Sequence, residues 1–494
     1  MNLACLLLAN DAGAGQGRVL HVSKAGNDAN TGIATTYPID LSADSKLTFA
    51  SALAAAGAGD TIVVWPGTYA EKLDITKDLT VDGFGLDKTI FSVASGAGGS
   101  VHFSSVSNFE VRGVSCITSD TGSDALGFDV GNSGSTMVRG LLEDCYLEGD
   151  FDGIHCKSAN NITLRRVHGK GKFDGIQTGS GENRLIEDCV AETDGTNTTT
   201  GRVNAFVNAS ARNVIVRNLI CKARRASATN DRDVAGCDIR GENVVIDGLV
   251  LDVDHTGDGV SKAFGLYLGD AADESILITN VSGRVENTKG TSIGIKAAHG
   301  NPVIAGVMIQ AQAEASDGTA IGVEVTDGKA CVVVNGHLDT IVPAPILSGS
   351  VTGQVSGFED SRFKDSGRTG LPDDTINGWL LVWLTGPNAN ESAVVDDFVQ
   401  SGGEVRFASA FTNDIQVGDT YDLYISGVGP PTEYSLKNGT GTLTVGNLEY
   451  DRDKTSGTIT QFDPATDASG GMDITSVGGT AIGTAALNRW IGGQ

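Results

Sequence analysis

The sequence predicts an all-β chain wound as a right-handed parallel β-helix, with an N-terminal capping helix and small C-terminal antiparallel β domains. Three observations carry this prediction. Phe151-Asp-Gly-Ile154 recurs 22 residues later as Phe173-Asp-Gly-Ile176, and the runs that follow, Ile162 to Val167 and Leu185 to Cys189, keep the same step. Strands of only a few residues, with Gly, Asn or Asp between them, cannot form a stable sheet alone, but stacked coil on coil they bury one continuous ladder. The long amphipathic helices that a barrel of alternating strands and helices requires are almost absent.

Four segments follow in order: residues 1–45 as an N-terminal segment and cap, 46–357 as the β-helix, 358–430 as a small antiparallel β domain, and 431–494 as a C-terminal β segment for oligomerisation. The apolar run Leu3 to Ala9 is short and has no Lys or Arg before it, so it reads as a packed cap rather than a secretory signal. Leu47 to Ala56 is helical and suited to cover the open end of the first coil, where unpaired strand edges would recruit other chains. Gly127-Phe-Asp-Val130 precedes the repeat, and Cys237-Asp-Ile239, Gly265-Leu-Tyr-Leu268, Gly294-Ile-Lys296 and Gly322-Val-Glu-Val325 continue it. Steps of 30, from Cys189 to Leu219 and on to Leu249, mark loops inserted at corners. After Ser348 to Gly357 the pattern fades, and Trp379 to Leu384, Ser392 to Val395, Glu404 to Phe407 and Tyr421 to Ile425 read as antiparallel strands. Tyr434 to Gln494 holds too little for a core of its own and is expected to pack on partner chains.

Composition narrows the partners. A net charge of −26 with a pI near 4.5 would repel nucleic acid. No apolar run is long enough for a membrane-spanning helix, so no membrane insertion is expected. The eight cysteines form no CxxC pair and lie in apolar strand runs, which points to buried free thiols.

The stretches His21-Val-Ser-Lys-Ala-Gly-Asn-Asp-Ala-Asn-Thr-Gly32, Gly59-Asp-Thr-Ile-Val-Val-Trp-Pro-Gly-Thr-Tyr69 and Leu79-Thr-Val-Asp-Gly83 resemble the opening of pectate-lyase-like β-helix proteins. The resemblance spans residues 20 to 350 as a repeat architecture. It implies the fold and is silent on activity, because lyases, hydrolases, epimerases, tailspikes and inert adhesins share it. The polygalacturonase motifs NTD, DD, GHG and RIK are missing from the coil, as is the WIDH-type string of classical pectate lyases. The segment from Gly378 to Tyr424 resembles a short β module appended to phage virion proteins. Tailspike-like relatives imply a homotrimer.

Alternation within each coil places Asp129, His155, Gln177, Asp238, Tyr267, Lys296 and Glu324 outward, stacked along one flank as a groove wall for successive sugars. For catalysis the densest cluster is Asp152 and Asp174, with Asp129 and His155 beside them. Carboxyls on neighbouring coils, about 4.8 Å apart, suit the two-carboxyl chemistry of glycoside hydrolysis. Their mutual repulsion would raise one pKa and so supply both an acid and a base. Arg165, Arg166 and His168 form a basic patch able to neutralise an acidic glycan, as a lyase requires. Calcium is admissible from so many Asp residues, but no EF-hand-like or RTX nonapeptide spacing is present, and no cofactor or metal site is assigned. Together these readings describe a bacteriophage spike or fibre, resident in the virion among other virion proteins, that binds host surface polysaccharide with or without degrading it. The alternative is a secreted, extracellular bacterial lyase or glycoside hydrolase.

Overall fold

The computed structural model describes residues 17–462, except 35–37, 94–100, 104–105, 119–127, 131–138, 157–158, 197–201, 226–232, 257–260, 270–274, 289, 299–300, 315–317, 327–329, 343–346, 425–431, 440–441, 450–454 and 457–458, and beyond them 476–477 and 480–481. The expected packing of Leu3 to Ala9 lies outside the described residues.

The chain is a parallel β-helix. Each coil contributes one strand to a twelve-stranded parallel sheet, here sheet B, and a bent strand or strand pair to a larger sheet, here sheet A. Register is kept from coil to coil: Ile154 pairs with Ile176, Ile176 with Phe206, and Phe206 with Cys237. Inward side chains at these levels merge into one core running from Leu20 to Val445. Seven cysteines, Cys116, Cys145, Cys156, Cys189, Cys221, Cys237 and Cys331, are buried free thiols within it.

The corners explain the Asn and Gly of the repeat. Asn161, Asn183, Asn213 and Asn243 all hold left-handed backbone, with φ of 54°, 59°, 54° and 54°, where sheet B turns into sheet A. The amides of the last three each donate to the equivalent side chain one coil back, at 3.1, 3.2 and 3.4 Å. Asn tolerates this conformation because its short polar side chain hydrogen-bonds locally. A second left-handed column, Asp144, Arg166, Asp188, Asn218, Asn280 and Asn335, divides sheet A into two faces.

The N-terminal helix is Phe49–Ala55. Thr48 caps it by accepting from the Ser51 N–H, and the Glu71 carboxylate accepts from the Phe49 and Ala50 N–H groups at 2.9 and 3.1 Å. Phe49 is buried against Phe91, so the helix closes the coil end as expected. The first coil begins earlier than residue 46, because Val19–Val22 already pairs in parallel with Thr61–Val64.

The C-terminal boundaries also differ from the sequence reading. Thr319–Val325 pairs directly with Thr432–Asn438, and Ala330–Ile341 with Thr442–Glu449. The antiparallel unit between them, with its own core around Phe363, Trp383 and Tyr421, is therefore an insertion at a coil corner. Thr432–Asn438 and Thr442–Glu449, expected to lie in a segment without a core of its own, have one within this chain. They resume the coils, and Leu436, Leu443 and Val445 enter the main core.

Candidate functional site

Sheet B bends within each strand. At Gly175 an added Cβ would meet the Glu192 N at 2.5 Å and the Ala205 O at 2.6 Å, and at Gly294 the Ile309 side chain at 2.6 Å and the Gly322 O at 2.7 Å. At these two positions the strand turns too close to its neighbours for a side chain without a local shift, although Ala205 and Ser435 hold the equivalent place in their own coils. The bend brings two outward columns together, one residue before the Gly and two residues after it.

The column after the bend is the row expected from sequence. Asp129, His155, Gln177, Val207, Asp238, Tyr267, Lys296, Glu324 and Lys437 follow one another in coil-to-coil register. Val207 and Lys437 were missing from the expectation. The side chain of Asp129 lies outside the described residues. The column before the bend starts polar, with Asp174 and Asn204, and turns apolar at Ala235, Phe264, Ile293, Ile321 and Tyr434. Four of these form a second apolar cluster outside the main core, with Tyr267 and Tyr434 packed against it.

The two columns make a trough with a defined floor. Phe264 and Tyr267 meet edge to face at 5.1 Å. Asp238 is fully buried between Arg202, at 3.0 Å, and Arg240, whose Nε lies at 3.0 Å. Glu324 sits between Lys437 at 2.9 Å and Lys296 at 3.2 Å. Burial pushes the Glu324 carboxyl up, but the two lysines outweigh it and hold its pKa below the ordinary carboxylate range. Each carboxylate thus has two cations; Asp233, 3.8 Å from Arg202, balances the first group, and the Glu324 group keeps one positive charge in excess.

The proposed acid pair has a different setting. Asp152 and Asp174 are 0% and 2% exposed. Asp152 accepts from the Asp174 backbone N–H at 3.2 Å, and Asp174 from the Asn204 backbone N–H at 3.1 Å and its amide at 2.9 Å. Burial, then the charge of Asp152, raises the Asp174 pKa well above the ordinary value. The raised pKa was expected; the enclosure was not. These residues tie each bend to the next, and a polymer does not reach them without rearrangement. His155, half-buried, lies 3.2 Å from the Asp152 carboxylate.

The basic patch is a correction. Arg165, Arg166 and His168 lie on sheet A, not on the trough. Arg165 belongs to a column whose charge alternates at every coil: Asp82, Arg112, Glu143, Arg165, Glu187, Arg217, Asp247. It pairs with Glu187 at 3.0 Å and Glu143 at 3.4 Å. Arg166 holds Asp144 at 2.6 Å, and His168 meets Glu192 at 3.1 Å, its pKa lowered chiefly by burial. A second column, Glu148, Lys170, Glu192, Lys222, Asp252, Arg284, alternates likewise. These three cations are answered within the sheet, so they leave no uncompensated patch for a glycan there. Among the described residues no group of three His, Cys, Asp or Glu is arranged to hold a metal ion.

The coil register and bent parallel sheets decide the architecture. It is that of a parallel β-helix. No protein-family model matches this chain, and no curated protein does. Solved structures similar to it include pectate lyase Pel9A, at 15% identity and a TM-score of 0.39, covering 67% of this chain and 80% of that one. An Azotobacter vinelandii mannuronan C-5 epimerase, the AlgE4 A-module, is similar at 14% identity and a TM-score of 0.35, over 59% of this chain and 91% of its own. Geobacillus virus E2 ORF18 is similar at 10% identity and a TM-score of 0.31, over 75% of this chain and 70% of its own. Likeness at this level concerns coil winding and leaves activity to the site.

Proposed function

We propose that this chain binds polysaccharide along the trough, and that it does so as a spike or fibre of a bacteriophage virion engaging host surface glycan. The observation that carries the binding reading is the trough itself. Partly exposed aromatic rings at Tyr267 and Tyr434 lie beside the partly exposed cations Lys296 and Lys437, with the buried Phe264, Asp238 and Glu324 packed beneath them. Successive levels are about 4.8 Å apart, a spacing on the scale of one pyranose ring. Ring faces take the apolar side of a sugar, and fixed charges take its hydroxyls and substituents.

Binding without cleavage is the form this geometry favours. Hydrolysis needs two carboxyls that flank an accessible bond. In the trough both carboxylates are clamped by cations, and Asp152 and Asp174 are enclosed. The virion setting rests on the resemblance of the inserted unit to a β module of phage virion proteins, and the homotrimer on the likeness of the coils to tailspike-like β-helix proteins.

The test is incubation with extracted bacterial surface polysaccharides, following binding, chain length and the ultraviolet absorbance of unsaturated ends. Retention of polymer with neither shortening nor absorbance is expected. Shortening alone would establish a hydrolase, and new absorbance a lyase. A solution mass of one chain would remove the trimer.

A further inference from the structure

Arg202 occupies an unexpected place in the trough. It stands just before strand Val203–Asn208, and its side chain runs along the coil axis over the two following levels. Its guanidinium carbon lies 3.6 Å from the ring centroid of Tyr267 and 4.9 Å from that of Phe264. The same guanidinium hydrogen-bonds Asp238 at 3.0 Å and lies 3.8 Å from Asp233. Asp238 is anchored in turn by Arg240. The other trough cations are not stacked in this way: Lys296 is 5.9 Å from the Phe264 ring and Lys437 5.6 Å from the Tyr434 ring, and both are drawn to Glu324.

A ring face covered by a guanidinium at stacking distance cannot also carry a sugar. Arg202 leaves that face only if something replaces what it loses there, namely the cation–ring attraction and the Asp238 bond. A neutral sugar offers hydroxyls, which are weak partners for a guanidinium. A carboxylate or other anionic substituent offers a charge-assisted, bidentate partner of the kind Arg accepts best. We propose that Arg202 is a specificity-determining residue that admits acidic sugars to the Tyr267 face and excludes neutral ones. The inference rests on the trough being the glycan site, and deepens it by naming the substituent the glycan must carry.

The device is discriminating because the cost of moving Arg202 is the same for every ligand and only an anion offsets it. Removing the side chain should therefore act mainly on the neutral competitor. In Arg202→Ala the ring face is open, so a neutral chain gains affinity while an acidic chain loses its guanidinium partner. Arg202→Lys keeps the charge but neither the planar stack nor the fork, and should fall between the two.

The experiment uses one acidic bacterial surface polysaccharide in two forms, intact and with its carboxyl groups reduced to primary alcohols. Affinities of both forms are measured by calorimetry for the full chain, Arg202→Ala, Arg202→Lys and Tyr267→Ala, each checked for an unchanged thermal melt. The unaltered chain is expected to prefer the intact form, and Arg202→Ala to lower that preference about tenfold, with the reduced form binding more tightly than before. An unchanged preference in Arg202→Ala, or no preference in the unaltered chain, overturns the role of Arg202. Tyr267→Ala separates the two levels: if it leaves both affinities intact, the trough reading itself fails, and if it lowers them while Arg202→Ala changes no ratio, only the selectivity fails.

Discussion

At the scale of single residues, burial decides what the acidic side chains can do. Asp174 is enclosed, beside Asp152, and its folded-state pKa is raised well above its unfolded value near 3.8. A raised pKa means that the folded chain holds the proton more tightly. Any stability this group contributes is complete below pH 3.8 and is lost as pH rises toward the folded pKa. Asp174→Asn keeps an acceptor for the Asn204 N–H and removes the charge, so it is expected to raise the melting temperature at pH 7 by about 2–4 °C and to leave it unchanged near pH 4. Melts at the two pH values check this. Glu324 shows the opposite sign: its pKa is depressed by Lys437 and Lys296, so its contribution is present above pH 4.5 and disappears as pH falls through the folded value. The same scale shows where sequence reading ended. The positions of Asp152 and Asp174 in the repeat were legible, since they share a place before the Gly, but a repeat carries no information on what closes over it. Arg202 left no signal at all, because its role depends on reaching two levels beyond its own strand.

At the scale of elements, register is the organising quantity. It was legible wherever the motif kept its small residue: the spacing within Gly265-Leu-Tyr-Leu268 and Gly294-Ile-Lys296 is enough to set Tyr267 and Lys296 one above the other. It was lost where the motif changed character. Ala205 stands in the Gly position and Val207 in the polar one, so that coil carries neither mark of the repeat. Lys437 was hidden because the inserted unit separates Glu433-Tyr-Ser-Leu-Lys-Asn438 from the coil it continues. The alternating columns of sheet A hold register by charge, since a slip of one coil would set like beside like. Arg165→Glu would put a third carboxylate between those of Glu143 and Glu187, which would keep only their outer partners, Arg112 and Arg166 on the first and Arg217 on the second. It is expected to destabilise by about 1 kcal/mol at low salt, with the loss shrinking in concentrated salt. Urea unfolding at two ionic strengths measures it. Gly294→Ala acts on the bend instead, where its Cβ meets the Gly322 backbone. It should cost about 1–3 kcal/mol independent of salt.

At the scale of the whole molecule, the chain is one solenoid with a unit of different architecture inserted at a corner. Because the sheets pair across the insertion, the coils do not need it for their continuity. Joining residue 342 to residue 431 through a short Gly-rich turn is expected to give a folded β-helix with an unchanged circular-dichroism signature of β structure, whereas an unfolded product would mean that the inserted unit supports the coils. In chain order the insertion follows the sheet A strand Ala330–Ile341 and precedes the sheet B strand Thr432–Asn438, which carries Tyr434 and Lys437. On a chain of net charge −26, the Glu324 group between Lys296 and Lys437 is a locally positive place on the trough. This contrast makes the face one that an acidic polymer can approach.

The binding reading stands or falls on which face of the solenoid holds the glycan. Calorimetric titration of a bound surface polysaccharide into Lys437→Gln, on the trough, and Arg165→Gln, on sheet A, measures this directly. At least about tenfold weaker binding is predicted for the first and no change for the second. Weakened binding with Arg165→Gln and full affinity with Lys437→Gln would contradict it.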